Sequence, residues 1–251
     1  MKLTSVLPLS LISVTAMAPG THPAPRQQPT TLCSQFSYWS GSGYEANNNL
    51  WGQDSATSGS QCTSVDGSSA AGVQWRTEWT WRGGPGQVKS FAYAGKQLAR
   101  GQTLARVVSI PTAVAWQYNT TAGVRANAAY DIFTAADAGH ENSSGDYEVM
   151  IWLARLGDIR PIGSSTGTVS VGGWPWDLWV GMNGDMPVYS FVAPGTTNSF
   201  SGDAKLFFDY LQTYQGFPAS SQNLIVFQFG TETFTGGPAS MSVAQFSASI
   251  N

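Results

Sequence analysis

From Thr31 onward the chain runs in short alternating or aromatic-rich stretches separated by clusters of Gly, Pro, Asn and Ser. A break roughly every ten residues predicts a β-sandwich or barrel of many short strands. Between Trp75 and Trp81 the alternation is strict, with Trp75, Thr77, Trp79 and Trp81 on one face and Arg76, Glu78 and Thr80 on the other. That is a strand with one wet face, and the glycines from Gly83 to Gly86 end it. One stretch departs from this rhythm. Leu206, Phe207, Tyr210, Leu211 and Tyr214 recur at helical spacing with Gly216 following as a stop, which predicts a single helix over about 203–215 packed on a sheet. No internal repeat interrupts the pattern, and residues 32–251 read as one all-β domain of two packed antiparallel sheets.

Ahead of that domain the pattern changes. Lys2, the apolar and hydroxylic run from Leu3 to Val14, and Ala16-Met17-Ala18 have the order of a secretory signal peptide over residues 1–18. The run is too short to span a bilayer, so no membrane association is expected. Residues 19–31, with four prolines and no apolar period, read as a flexible leader. Export to an oxidising compartment makes a disulfide the expected state of Cys33 and Cys62. Asn119-Thr120-Thr121 and Asn142-Ser143-Ser144 are glycosylation acceptor sequences consistent with a secreted surface.

Charge narrows the partners. Only 11% of residues are charged, against roughly 25% in an average globular protein, and the net charge is −3. No basic field exists to hold a nucleic-acid backbone. Ten Trp and nine Tyr supply flat aromatic faces of the kind on which a sugar ring stacks, so the expected ligand is neutral and rich in hydroxyls. The only histidines are His22 in the leader and His140 in a polar loop, so neither a Ser-His-Asp triad nor a His-rich metal site can be assembled. With the cysteines paired and no phosphate-binding loop, neither metal nor cofactor is expected, and any catalysis rests on carboxylates.

Most of the 15 acidic residues lie in turns, but three lie inside apolar strands. Between Tyr147 and Leu153, period two puts Glu148, Met150 and Trp152 on one face and Tyr147, Val149, Ile151 and Leu153 on the other. Glu232 shares its face with Gln228 and Gly230, and Asp131 shares its face with Asn127 and Ala129. The plain alternative for each acid is a partner for Lys or Arg. Arg125 is the only base on any of these faces, whereas Glu78 has Arg76 beside it and reads as a solvated ion pair. Unpaired carboxylates among apolar neighbours carry a desolvation cost that suits general-acid and nucleophile work. Two carboxylates among aromatic platforms is the layout of glycoside hydrolysis.

Specific segments carry a resemblance: Asn48-Asn49-Leu50-Trp51-Gly52, Tyr130-Asp131-Ile132-Phe133, the run from Gly145 to Leu153, the run from Val188 to Ala193, and Phe229-Gly230-Thr231-Glu232 with Phe234-Thr235-Gly236. Together, in order from about Cys33 to Asn251, they resemble glycoside hydrolase family 12, the small fungal and bacterial endoglucanases. The resemblance implies a β-jelly-roll of two curved antiparallel sheets with one helix on the convex side and an open cleft across the concave sheet. It implies that Glu148 is the nucleophile, Glu232 the general acid/base, and Asp131 the acid supporting the nucleophile, with Met150 beneath it. Asn49, Trp51, Met150, Trp152 and Phe234 fall at substrate-binding positions, and Cys33 and Cys62 at the family's disulfide. Two departures stand out. Glu232 is followed by Thr233 where the family usually has Pro, removing a restraint on that strand end, and Phe36 stands where many members have another aromatic.

The implied function is that of a secreted, monomeric, retaining endo-β-1,4-glucanase acting on cellulose-type and mixed-linkage β-glucans. A xyloglucan-specific hydrolase would use the same fold and acids. A non-catalytic glucan-binding jelly roll would keep Trp51 and Trp152 but has no need of two unpaired strand acids.

Overall fold

The computed structural model describes residues 29–251, and the signal-peptide and most of the leader expectations lie outside the described residues. Two sheets share one strand. The outer sheet contains β1 (Thr30–Leu32), β4 (Ser58–Ser69), β5 (Gly72–Arg82), β7 (Pro111–Tyr118) and β13 (Ser199–Asp203). The inner sheet contains β2 (Tyr38–Gly41), β3 (Tyr44–Asn47), β6 (Ser90–Lys96), β8 (Arg125–Ala135), β9 (Tyr147–Leu156), β10 (Ser164–Val171), β11 (Trp174–Asn183) and β12 (Met186–Val192). The long β14 (Asn223–Ala248) pairs with β6 and β8 of the inner sheet through its first half and with β5 and β7 of the outer sheet through its second. Strand pairing begins at Thr30, so the last two leader residues already belong to β1, opposite Val65 and Ser64.

Pairing is antiparallel throughout, apart from one pair. β12 runs parallel to β9, with Val188 beside Glu148 and Val192 beside Trp152. The hairpin of β10 and β11 lies between them in sequence, and this excursion returns the chain in its original direction.

Alternation decides what each strand buries. Trp75, Trp79 and Trp81 of β5 turn into the core, as do Val149, Ile151 and Leu153 of β9. Tyr130 sits at the centre, its ring 5.1–6.2 Å from Phe200, Phe227, Phe229 and Phe246. Fully burying a side chain of the Val, Leu or Phe type contributes roughly 1.5–3 kcal/mol, which makes this layer the main stabilising mass of the domain. Helix α1 (Lys205–Tyr214) lies within the expected span. Asp203 Oδ1 accepts the Lys205 backbone N–H at 2.9 Å, and Gly216 ends the helix in the left-handed region at φ 70°. Phe207 packs on Trp176 and Phe191, so α1 covers the core-side face of β11 and β12. Trp176 is therefore core, while Trp174 is exposed and both point away from the face carrying Glu148. No helix among the described residues is long and apolar enough to cross a membrane.

Cys33 and Cys62 form a disulfide that closes a loop of 29 residues between the end of β1 and β4. A loop of this size gives about 3–4 kcal/mol in the chain-entropy model. Reduction should therefore lower the melting temperature of the mature domain by roughly 10 °C. Calorimetry with and without reductant checks this, and an unchanged transition would show that the cross-link contributes nothing.

Candidate active site

The register of the inner sheet sets out a band of side chains at right angles to the strands. On the face turned away from the outer sheet, one row runs from Glu45 through Gln228, Asp131, Met150 and Ser190 to Trp179. A second runs from Asn47 through Tyr93, Ala129 and Trp152 to Asp177. Each crosses the strands from β3 to β11, and at about 4.8 Å per strand the band is roughly 28 Å long, room for several rings of a linear glycan. Glu232, bonded to Asn127, stands on one side of these rows, and Glu148, paired with Phe133 and Val188, stands on the other.

This face belongs to no second sheet, yet its centre is barely accessible. Glu148 and Asp131 are each 8% exposed. Met150, Trp152, Ala129, Val192, Ile159 and Phe234 form an apolar cluster around them. A sheet face uncovered by another layer and still inaccessible is the floor of a groove. Trp152, expected at a substrate-binding position, is too deep to stack on a sugar: only 2% of it is exposed, and its Nε1–H donates to Met150 Sδ at 3.3 Å. Neighbouring apolar side chains cover the indole, which leaves it part of the floor. Trp51 is 54% exposed and free to stack.

The turn carrying Trp51 is fixed from below. Asn49 takes the left-handed region at φ 46°, with its backbone N–H donating to Asn47 Oδ1 at 2.7 Å. Gly52 lies so close to β6 that an added Cβ would stand 2.1 Å from Val88 O, and its N–H donates to Lys89 O at 3.1 Å. Lys89, fully buried, donates from Nζ to Gly84 O and Gln87 O at 2.6 and 2.7 Å, tying down the loop before β6. Its pKa is pulled down by that burial and by Arg125 nearby.

Electrostatically the three acids form one group. Burial pushes the Glu148 carboxyl up to about 7, opposed by the Asn183 side chain facing it. Burial and then the charge of Glu148 push Glu232 to about 8, opposed by Asn127. Asn127 grips Glu232 twice, its Nδ2 donating to Oε2 and its Oδ1 accepting the backbone N–H. Asp131 is raised well above the ordinary aspartate range by burial and by the charges of Glu148 and Glu232, and its Oδ1 is buried without a hydrogen-bond partner. Arg125 brings no cation to the group: it meets Asp158, Pro85 O and Thr235 instead. Glu78, in contrast, is exposed and its carboxylate lies 3.8 Å from Arg76, whose closer partner is Asp66.

Such a group holds one carboxylate ionised while a neighbour keeps its proton, the state required for a nucleophile beside a proton donor. No cluster of His, Cys, Asp or Glu suited to a metal occurs among the described residues. The alternation of β8 and β9 made Asp131, Glu148 and Met150 recognisable. Asn127, Asn183, Trp179 and Asp177 were missed as site residues, because a neutral amide or a further Trp in a strand becomes meaningful only once the register is known.

Comparison with known proteins identifies the family. Residues 42–251 match the model of glycosyl hydrolase family 12. The chain is 48% identical over 247 residues to Endoglucanase A of Aspergillus kawachii, covering 97% of this chain and 98% of the relative. It is 45% identical to a xyloglucan-specific endo-beta-1,4-glucanase A of Emericella nidulans, covering 98% and 99%. The catalytic domain of Humicola grisea Cel12A, solved with a soaked thio cellotetraose, superposes with a TM-score of 0.86 at 53% identity, covering 88% of this chain and 99% of that one. Endoglucanase 3 of Trichoderma harzianum gives 0.85 at 46% identity, covering 92% and 100%. With its paired sheets, carboxylate-bearing groove and near end-to-end match to these enzymes, the chain belongs to glycosyl hydrolase family 12.

Proposed function

We propose that the protein is a secreted, retaining endo-β-1,4-glucanase that cuts linear β-glucans internally, with Glu148 as nucleophile and Glu232 as general acid/base. Glu148 attacks the anomeric carbon while Glu232 protonates the departing oxygen. Glu232 then takes a proton from a water whose oxygen attacks the anomeric carbon, breaking the bond to Glu148 and freeing the sugar. The observation that carries this reading is the group of buried carboxyls on the groove floor, Glu148, Asp131 and Glu232, set among apolar side chains with no cation beside them because Arg125 is engaged by Asp158. Asp131, kept protonated by its surroundings, can donate a hydrogen bond to the Glu148 carboxylate. The lack of any Lys or Arg in the two rows of the band suits a neutral polymer, and its length suits internal cleavage.

Among substrates we favour unbranched glucans. The runs from Gly145 to Leu153 and from Gly172 to Trp176 resemble general endoglucanases more than xyloglucan specialists, and a relative named endoglucanase matches at 48% identity. Xyloglucan is the second reading, favoured by the Emericella nidulans relative. The ratio of kcat/KM on mixed-linkage β-glucan to that on xyloglucan separates them, and a value for xyloglucan about tenfold higher, some 1.4 kcal/mol of transition-state binding, would promote the second. Trp51→Ala should lower kcat/KM on unbranched oligosaccharides by the equivalent of about 1–3 kcal/mol, by analogy with base stacking on aromatic side chains.

Glu148→Gln should abolish turnover while the fold persists. Both glutamate pKa values are raised in the folded state, so the native protein binds more protons than the unfolded chain between about 4.5 and 8, and stability falls as pH rises through that window. Glu148→Gln removes one of these titrations. Its melting temperature should exceed that of the native protein at pH 7 and equal it near pH 4. Retained turnover would remove Glu148 from the nucleophile's role, and no gain at neutral pH would show that burial does not raise its pKa.

A further inference from the structure

Glu232 and Thr233 are neighbours on β14, so when one faces the groove the other faces the interior. Thr233 is fully buried, with its Oγ1 2.6 Å from Ser90 Oγ and 3.4 Å from Gln61 Oε1. Proton counting fixes the direction of these bonds. Gln61 Oε1 already accepts Trp81 Nε1–H at 3.0 Å and Ser90 Oγ–H at 2.7 Å, which fills both of its lone pairs. The Ser90 proton is thereby committed, and the Thr233 hydroxyl donates to Ser90 Oγ.

The chain continues inward. Gln61 Nε2 donates to Thr77 Oγ1 at 3.0 Å, and Thr77 lies 3.0 Å from Thr63, which donates to Asn48 Oδ1 at 2.9 Å. Asn48 Nδ2 donates to Gln61 O at 3.1 Å, closing the network beside the Asn49–Trp51 turn and the Cys62 half of the disulfide. Thr233, Ser90, Gln61, Thr77, Thr63 and Asn48 are all buried. A fully satisfied buried network is rigid, and leaving one member unpaired is costly.

The position needs holding, because the β14 register with β8 shifts between Thr233 and Thr235, directly after Glu232, as the strand leaves the inner sheet for the outer one. Asn127 grips Glu232 from the groove side. From behind, the Lys89 N–H donates to Thr233 O at 2.8 Å, and the Thr233 hydroxyl is the only side-chain anchor on that residue among the described residues.

We propose that Thr233 is a positioning residue for Glu232, its buried hydroxyl chain through Ser90 and Gln61 holding the strand end so that the carboxyl stays aimed at the leaving oxygen. The inference rests on Glu232 being the general acid/base. A proton donor out of place matters most when the leaving group is poor and little when it departs unaided, whereas general damage to the fold slows every substrate alike.

The test compares kcat/KM on barley-type mixed-linkage β-glucan with that on a nitrophenyl β-cellotrioside. Thr233→Val, close in volume but without the hydroxyl, should lose about tenfold on the glucan and less than about twofold on the nitrophenyl substrate, while Thr233→Ser should restore glucan activity to within about threefold. Equal losses on both substrates, no loss on either, or a Ser variant as impaired as the Val variant would overturn the proposal. If Thr233→Val fails to fold, Ser90→Ala removes the same bond from the other side and should give the same substrate-dependent loss; native behaviour on both substrates overturns the proposal. Glu232→Gln is the control for the underlying assignment. If it remains active on glucan, the acid/base reading has failed; if it is inactive while Thr233→Val is native-like, the positioning role alone has failed.

Discussion

A carboxylate taken out of water without a cation costs several kcal/mol, and it escapes that cost by keeping its proton. Glu148, Asp131 and Glu232 are held in that situation together, among Met150, Trp152, Val192 and Phe234, with Arg125 drawn away to Asp158. Placing them on three adjoining strands along the groove floor makes the charge of one raise its neighbours, so that the group favours one ionised acid beside others that hold their protons. The proposed pairing of a nucleophile with a proton donor is therefore a property of the floor as a whole. It also opposes folding at neutral pH, a cost that the aromatic core between the sheets must offset.

β14 links that core to the site. Its inward residues Phe227, Phe229 and Phe246 crowd the ring of Tyr130, and the two halves of the strand belong to different sheets. Glu232 sits where the strand passes from one sheet to the other. A carboxyl at such a crossing is held by Asn127 in front and by the buried hydroxyl network behind, which reaches the disulfide and the turn carrying Trp51. On the proposed reading, sugar stacking at Trp51 and proton donation by Glu232 share one framework on one side of the groove.

Much of this was legible in the chain, because alternation of period two survives folding unchanged in β5 and β9. It separated Glu148, Met150 and Trp152 from Val149, Ile151 and Leu153, and the helical spacing around Phe207 marked α1. What stayed hidden depends on register and on neighbours distant in sequence. The depth at which Trp152 lies is set by Ile159 and Val192. The division between Trp174 and Trp176 is set by where α1 comes to rest. The parallel pairing of β12 with β9 requires knowing the path of an intervening hairpin. Thr233 read from sequence alone as a lost restraint at the position usually held by Pro; its hydroxyl bond to Ser90, and through Ser90 to Gln61, is the different restraint we propose, and residues that far apart in the chain carry no local signal of it.

The central claim is that the groove-floor carboxyl at Glu148 becomes covalently attached to sugar. A cellobioside bearing fluorine in place of the hydroxyl next to the anomeric carbon, with a good leaving group, slows release of the glycosyl-enzyme enough for peptide mapping by mass spectrometry. The account predicts one added fluorocellobiosyl group per protein, carried by the peptide containing Glu148 and absent from the Glu148→Gln variant. A label on the peptide containing Glu232 or Asp131, or hydrolysis with no adduct at any time point, would contradict it.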